Sequence, residues 1–506
     1  MMCRRRLKLL LLSWLGLAAA SSAWGQTPRT ACFSANADPT ARTESCTSAL
    51  VDGGLPSDTR ALIYFARAEI FVDLDKDAQA LADLNAGLAL TSGDAVALLA
   101  RSQLRERLGD LPGAEADATA AILAQPTLSE AYLRRGALRL ARGADDLAIA
   151  DLGETRRLNP LDAGPFRVRG KYFLQQNKID QAIGELKQAV EINSGDVESQ
   201  ALLAQALVRA TKFGEAIAAF NAALSLKPND FRLLRGRATA YGQAENYAAA
   251  MADFSHMLSL RPNDVATLEA RGVAALQSGN HTQAIIDFSA LLKASPERAD
   301  WHYFRGLANL RTQKPDAALQ DFNITVKQSP TDVDALASRA AAALALDQFD
   351  SADADLTTAL AQQPKSAELL VQRAQVRFVG GRYDSAADDF AVPGATSARN
   401  SLWRFLAQSR VKQDGRPALS IAANASNRRN WPGAVFEFFL GEVTAEAVVA
   451  QAGSATSKRC EADFYLGHAA LILGDGQAKQ RFMDALKSCK PDSLEYQSAR
   501  LELNKR

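Results

Sequence analysis

The sequence predicts an all-α chain of tandem antiparallel helical hairpins, and three residue columns in one register of 34 predict it. Pro126, Pro160, Pro228, Pro262, Pro296, Pro330 and Pro364 share that register, with Ser92 and Ser194 in place of proline. Twenty-four residues before these positions lies a small residue: Ser102, Gly136, Gly170, Ala204, Ala238, Gly272, Gly306, Ala340 and, in step, Ala374. Twelve before lies alanine every time, in ten copies from Ala80 to Ala386. Self-similarity at such a period marks stacked supersecondary units.

Taken in order, the chain opens with Arg4, Arg5, Arg6 and Lys8, an apolar run from Leu9 to Ala20, and Ala23-Trp24-Gly25. This is the pattern of a secretory signal over residues 1–25 with cleavage before Gln26, which implies export to the periplasm or beyond. The remaining chain has 54 basic and 57 acidic residues, a net charge of about −3. It lacks the overall basic balance that nucleic-acid binding favours, and no later apolar run is long enough for a membrane span.

Residues 26–60 read as an N-terminal cap, in which Thr40 to Val51 is half a unit with Cys46 at the alanine position. Ten gapless repeats follow over 61–400. Residues 401–459 lose the period and read as a degenerate repeat plus an irregular hairpin, with helices at Leu402–Gln413, Pro417–Ala425 and Ala434–Ala450. Residues 460–506 resume it as a last unit and end cap. Terminal units must cover an apolar face that inner repeats bury against each other. The cysteines sit in these caps, and the sequence-local pairs Cys32–Cys46 and Cys460–Cys489 are the economical choice among three pairings for an exported chain. Neither pair has CxxC spacing and the four histidines form no cluster, so no metal site is read.

Within each repeat, small residues let two helices approach closely, while Leu84, Leu152, Leu186, Phe220, Phe254, Phe288, Phe322, Leu356 and Phe390, four residues after the alanine, fill the gap. Gly143, Gly279 and Gly380-Gly381 mark the turns inside hairpins. The spacing, small positions and terminal proline resemble the tetratricopeptide repeat. That resemblance implies a right-handed superhelical solenoid whose first helices line a concave groove for a protein or extended peptide. It also implies a non-enzymatic role.

Two further columns vary together. Arg67, Arg101, Arg135, Arg169, Arg237, Arg271, Arg305, Arg339 and Arg373 are each followed sixteen residues on by an acid, from Asp83 to Asp389, and the fifth repeat loses both at once with Leu203 and Ala219. Joint loss predicts a structural ion pair in each repeat. By the family's groove positions, Arg167, Lys171, Gln205, Arg209 and Arg235, with Arg134 adjacent, form an unpaired basic cluster suited to a peptide carboxylate or acidic side chains. Farther along, Tyr303 and Phe304 lie among Glu269, Asp300 and Arg311, with Phe304 read as packing between hairpins.

Enzyme motifs such as GxGxxG, GxxxxGK[ST], HExxH and GxSxG are missing, so no catalytic, cofactor or metal residue is assigned. The expected function is therefore a periplasmic interaction scaffold. One alternative is an adaptor for cell-envelope assembly, docking proteases, peptidoglycan enzymes or polysaccharide-export machinery. A minor one is an enzyme whose site gathers Arg428, Arg429, Trp431, Glu437 and Glu442 within 401–459.

Overall fold

The computed structural model describes residues 32–34, 37–51, 54–392 and 397–505, so the signal over residues 1–25 lies outside the described residues. Among these, all regular structure is helical, from Pro39–Val51 to Leu494–Asn504, and no helix is long and apolar enough to cross a membrane. The chain forms two compact bodies, one ending at Ala244 and the other starting at Glu245.

In the N-terminal body, hairpins pair Ser57–Asp73 with Asp77–Leu90, Ala95–Arg107 with Leu111–Ala124, Ser129–Ala141 with Asp145–Leu158, Gly164–Gln175 with Ile179–Ile192, and Val197–Arg209 with Phe213–Leu226. The alanine column explains the close pairing: Ala80, Ala114, Ala148, Ala182 and Ala216 are wholly buried. Glycine appears at the small position where the facing bulky residue leaves no room, since a Cβ on Gly170 would meet Leu186 at 2.5 Å. Ser102 keeps its buried hydroxyl by donating to the Ala114 carbonyl at 2.7 Å. Several first helices are capped by aspartate, as where Asp94 and Asp196 accept from backbone amides of their own first turns. The Cys32–Cys46 disulfide fastens the cap, its Cα atoms 4.8 Å apart.

The turn within each hairpin needs one residue with positive φ, and that residue recurs every 34 positions. Glycine holds it at 109, 143, 279 and 381, but Asp75, Asn177, Thr211, Glu245, Gln313 and Asp347 adopt the same left-handed conformation at φ 56–59°. The glycines were legible as turns; the other six were not.

In the C-terminal body, four hairpins continue the pattern from Val265–Gln277 with His281–Ala294 to Ala367–Val379 with Tyr383–Phe390. Beyond them, Ala398–Arg410 and Arg416–Ala425 form the degenerate repeat. The helix expected over Ala434–Ala450 is instead two, Gly433–Leu440 and Ala445–Ala452, because Gly441 at φ 82° ends the first in a left-handed cap. The last hairpin starts at Thr456 rather than Cys460, and Thr456–Leu473 packs on Ala478–Ser488 with Cys460 bonded to Cys489. An aromatic cluster of Phe378, Trp403, Phe464 and Phe482 surrounds His468. Burial pushes that imidazole down to about 3, so it is neutral.

The final helix, Leu494–Asn504, turns back onto earlier repeats. Arg500 pairs with Asp347 at 2.6 Å, and Glu502 accepts from Tyr383 at 2.8 Å and Arg410 at 2.9 Å. Asp347 follows Val333–Ala345, Tyr383 opens the second helix of the next hairpin and Arg410 ends Ala398–Arg410, so the cap is tied across three successive repeats.

Candidate functional site

Arginine pairing decides which cations are available to a ligand. In seven repeats the ladder arginine makes a bidentate pair with its acid, Nε and Nη2 donating to the two carboxylate oxygens at 2.6–3.0 Å. The acids are buried, Asp287 completely. Hydrogen bonding to the aspartate holds the Arg67, Arg135, Arg339 and Arg373 guanidinium groups above their already high ordinary value. These side chains are structural.

The remaining donor, Nη1, reaches backward. It donates to Asn85, Thr119, Ser255, Ser289, Asn323 or Thr357, each sixteen residues earlier on the second helix of the preceding repeat, and from Arg67 to Thr47, twenty residues earlier on the cap helix. Each arginine therefore joins its own hairpin and stitches it to the one before. The fourth repeat is the exception: Gly153 offers no side chain to Arg169, which pairs with Glu185 at 2.8 Å and stays 37% exposed. Desolvation raises the Glu185 carboxyl despite Arg169, and its buried Oε2 has no hydrogen-bond partner among the described residues.

The six groove residues lie on the first helices of the third to sixth repeats, which touch in sequence. They are not, however, a uniformly unpaired cluster. Arg134 pairs with Glu106 at 2.5 Å. Arg167 is 7% exposed and pairs with Asp196 and, at 3.5 Å, with Glu198. Burial works to raise the Asp196 carboxyl, but Arg167 and the Ser199 hydroxyl prevail and hold it below its ordinary value. The reason is positional: Asp196 caps the next first helix, 29 residues on, and the cap points back at Arg167. Arg209 is exposed and donates Nη1 to the Leu174 carbonyl at 3.0 Å, at the carboxyl end of the neighbouring first helix. Lys171, Gln205 and Arg235 are exposed and, among the described residues, make no side-chain hydrogen bond or ion pair. The patch a ligand meets is thus Lys171, Gln205 and Arg235, with Arg209 beside them.

Elsewhere Phe304 stacks on Phe288 of the preceding hairpin, centroids 5.4 Å apart, and so packs between repeats as expected. The group gathered within 401–459 is largely committed to structure: Arg428 pairs with Glu442 at 2.7 Å, and the Trp431 indole donates to Glu461 at 3.0 Å.

The fold and this site define a helical-repeat protein with an extended interaction surface. Among known proteins, the family model described as tetratricopeptide repeat matches residues 167–231, 201–265, 269–333 and 338–398. Residues 167–265, 269–333 and 338–398 are thus tetratricopeptide repeats. Such repeats generally mediate protein–protein interaction and are typically non-enzymatic. No curated protein matches the chain. Solved structures similar to it include a tetratricopeptide repeat protein from Parabacteroides merdae, at 19% identity over 49% of this chain and 99% of that one, TM-score 0.37. MamA from Desulfovibrio magneticus shows 19% identity over 34% and 97%, TM-score 0.31. YrrB, described as a tetratricopeptide repeat protein with an unusual peptide-binding site, shows 19% over 37% and 97%, TM-score 0.28.

Proposed function

We propose that this protein is an exported, non-catalytic interaction scaffold that holds an acidic segment of a partner protein, or a peptide carboxylate, in the groove of its N-terminal body. The observation that carries the reading is the set of uncommitted, exposed Lys171, Gln205 and Arg235 on successive first helices whose neighbouring arginines are mostly ion-paired. Exposed cations without internal partners are free to exchange water for a ligand's carboxylate, whereas paired arginines would first have to give up theirs. The amino-terminal pattern and the two cap disulfides support an extracytoplasmic location. Service in cell-envelope assembly, as an adaptor for a protease, peptidoglycan enzyme or polysaccharide-export complex, is one role compatible with that location.

The test is crosslinking in intact cells followed by mass spectrometry, then binding of the captured partner to a Lys171→Glu, Arg235→Glu variant. The expected result is affinity weakened about tenfold with thermal stability unchanged. Unaltered affinity would make the patch an ordinary solvated face. Export is checked by the mass of the protein recovered from cells: retention of residues 1–25 would contradict it.

A further inference from the structure

The irregular region of the C-terminal body contains a cleft of about 560 Å³ that the groove reading does not use. That volume lies within the range of small-molecule sites, roughly 300–1,000 Å³. Its walls are Ala398–Arg410, Gly433–Leu440 and Thr456–Leu473, closed at one side by the turn at 411–415. Gly441, where the helix expected across 434–450 breaks, lines the opening.

Apolar side chains dominate the interior. Phe405 and Phe439 face each other with centroids 4.8 Å apart, Phe438 joins them, and Ile472 and Leu473 continue the surface outward, 37% and 77% exposed. The rim differs. Lys412 and Arg416 are exposed and, among the described residues, form no ion pair, while Asp414 is the rim's one acid and accepts from the Arg416 backbone amide. The rim is held in place, since the Gln413 amide donates to the Gln408 carbonyl at 2.9 Å and Lys412 takes a left-handed conformation at φ 59°.

We propose that this cleft binds a single-chain fatty-acid anion, the hydrocarbon against the phenylalanines and the carboxylate at Lys412 and Arg416. The selection has two parts. Two unpaired cations against one acid favour an anionic head and oppose a cationic one. A peptide entering the same space would bury amide groups that the phenylalanine-lined floor cannot satisfy, whereas an acyl chain has none. This inference is independent of the groove and its partner.

The experiment is calorimetric titration of the purified protein with dodecanoate below its micelle concentration. Saturable one-to-one binding is expected, weakened about tenfold or more in Lys412→Glu, Arg416→Glu and unchanged in the control Arg429→Glu, an exposed cation outside the cleft. Leu473→Asp should also weaken it. All four positions are exposed, and circular dichroism verifies that each variant folds. The proposal is overturned if binding is absent or not saturable, if the charge-reversed variant binds equally well, or if dodecyltrimethylammonium binds as tightly as dodecanoate. It is equally overturned if an apolar peptide with a free carboxylate binds more tightly, which would make the cleft a peptide site.

Discussion

Removing Arg271 tests the ladder where it is most complete. Its guanidinium donates to Asp287 at 2.9 and 2.7 Å and to Ser255 at 3.0 Å, and Asp287 has no exposed surface. Arg271→Ala leaves that carboxylate with one side-chain donor, Gln283 Nε2 at 3.0 Å. Breaking a buried pair typically costs about 3–5 kcal/mol. Because the cavity left by the arginine opens toward solvent and admits water, the lower end, about 3 kcal/mol, is expected. In the double variant Arg271→Leu, Asp287→Ala no buried charge remains, and the fifth repeat already places Leu203 and Ala219 there at 6% and 8% exposure. Most of the loss should return, giving a coupling energy of about 2 kcal/mol. Urea unfolding followed by circular dichroism reads this as a shift in midpoint, with the slope monitored because repeat arrays can unfold in stages. A double variant no more stable than Arg271→Ala would refute the pairing argument. Arg169→Ala supplies the contrast: with one half-exposed pair and no backward stitch, it should cost under about 1 kcal/mol.

Arg167→Glu sets a third acid against Asp196 and Glu198 and should lower stability by about 3 kcal/mol, unlike the exposed Lys171→Glu; thermal unfolding separates them. Thr211 is β-branched at φ 58°, where four other repeats use glycine, so Thr211→Gly should raise stability by about 1 kcal/mol, measured by the urea midpoint. Thiol titration of the unreduced, denatured protein should find Cys32, Cys46, Cys460 and Cys489 unreactive, and Cys460→Ser should destabilise the cap by about 3.5 kcal/mol in the chain-entropy model. Hydrogen bonding and charge from Lys505 and Arg410 overcome burial and hold Glu502 at about 2, below its ordinary 4.5. A depressed carboxylate stabilises above 4.5 and loses that contribution as pH falls toward 2, so Glu502→Gln should flatten the acid limb of stability against pH.

Repetition made most of the architecture legible, because each rule recurs seven to ten times. The ladder's acids could be paired from Leu203 and Ala219 alone, since both members vanish together. Its backward partners are harder to read because Asn85, Thr119 and Ser255 differ in type, though sixteen residues before the ladder arginine seven of nine positions can accept a hydrogen bond, which is a usable signal. Arg167 departs from the expected unpaired cluster for another reason: its partner is a helix cap, outside the helix-to-helix columns that expose the ladder. The break at Gly441 followed no period at all. Nor did the closure of Arg500 on Asp347 across 153 residues, which non-repeating contacts alone determine.

The stitches also divide the N-terminal body mechanically. Thr47, Asn85 and Thr119 tether the first three hairpins in series, and Asn221 resumes the series by accepting from Arg237 at 2.6 Å. Between them, Gly153 and Leu203 leave two successive junctions without a ladder stitch; the first is joined instead by the Tyr172 hydroxyl on Asp145, and the second by Arg167 on Asp196 and Lys187 on Glu215. Deformation concentrates where the join is most exposed, so bending or a change of pitch should localise at the junction of the third and fourth hairpins, where amide exchange should also be fastest among the inner helices. Lys171 is carried by Gly164–Gln175, the first helix after that junction. The first free charge of that surface therefore sits where the array most readily changes its curvature.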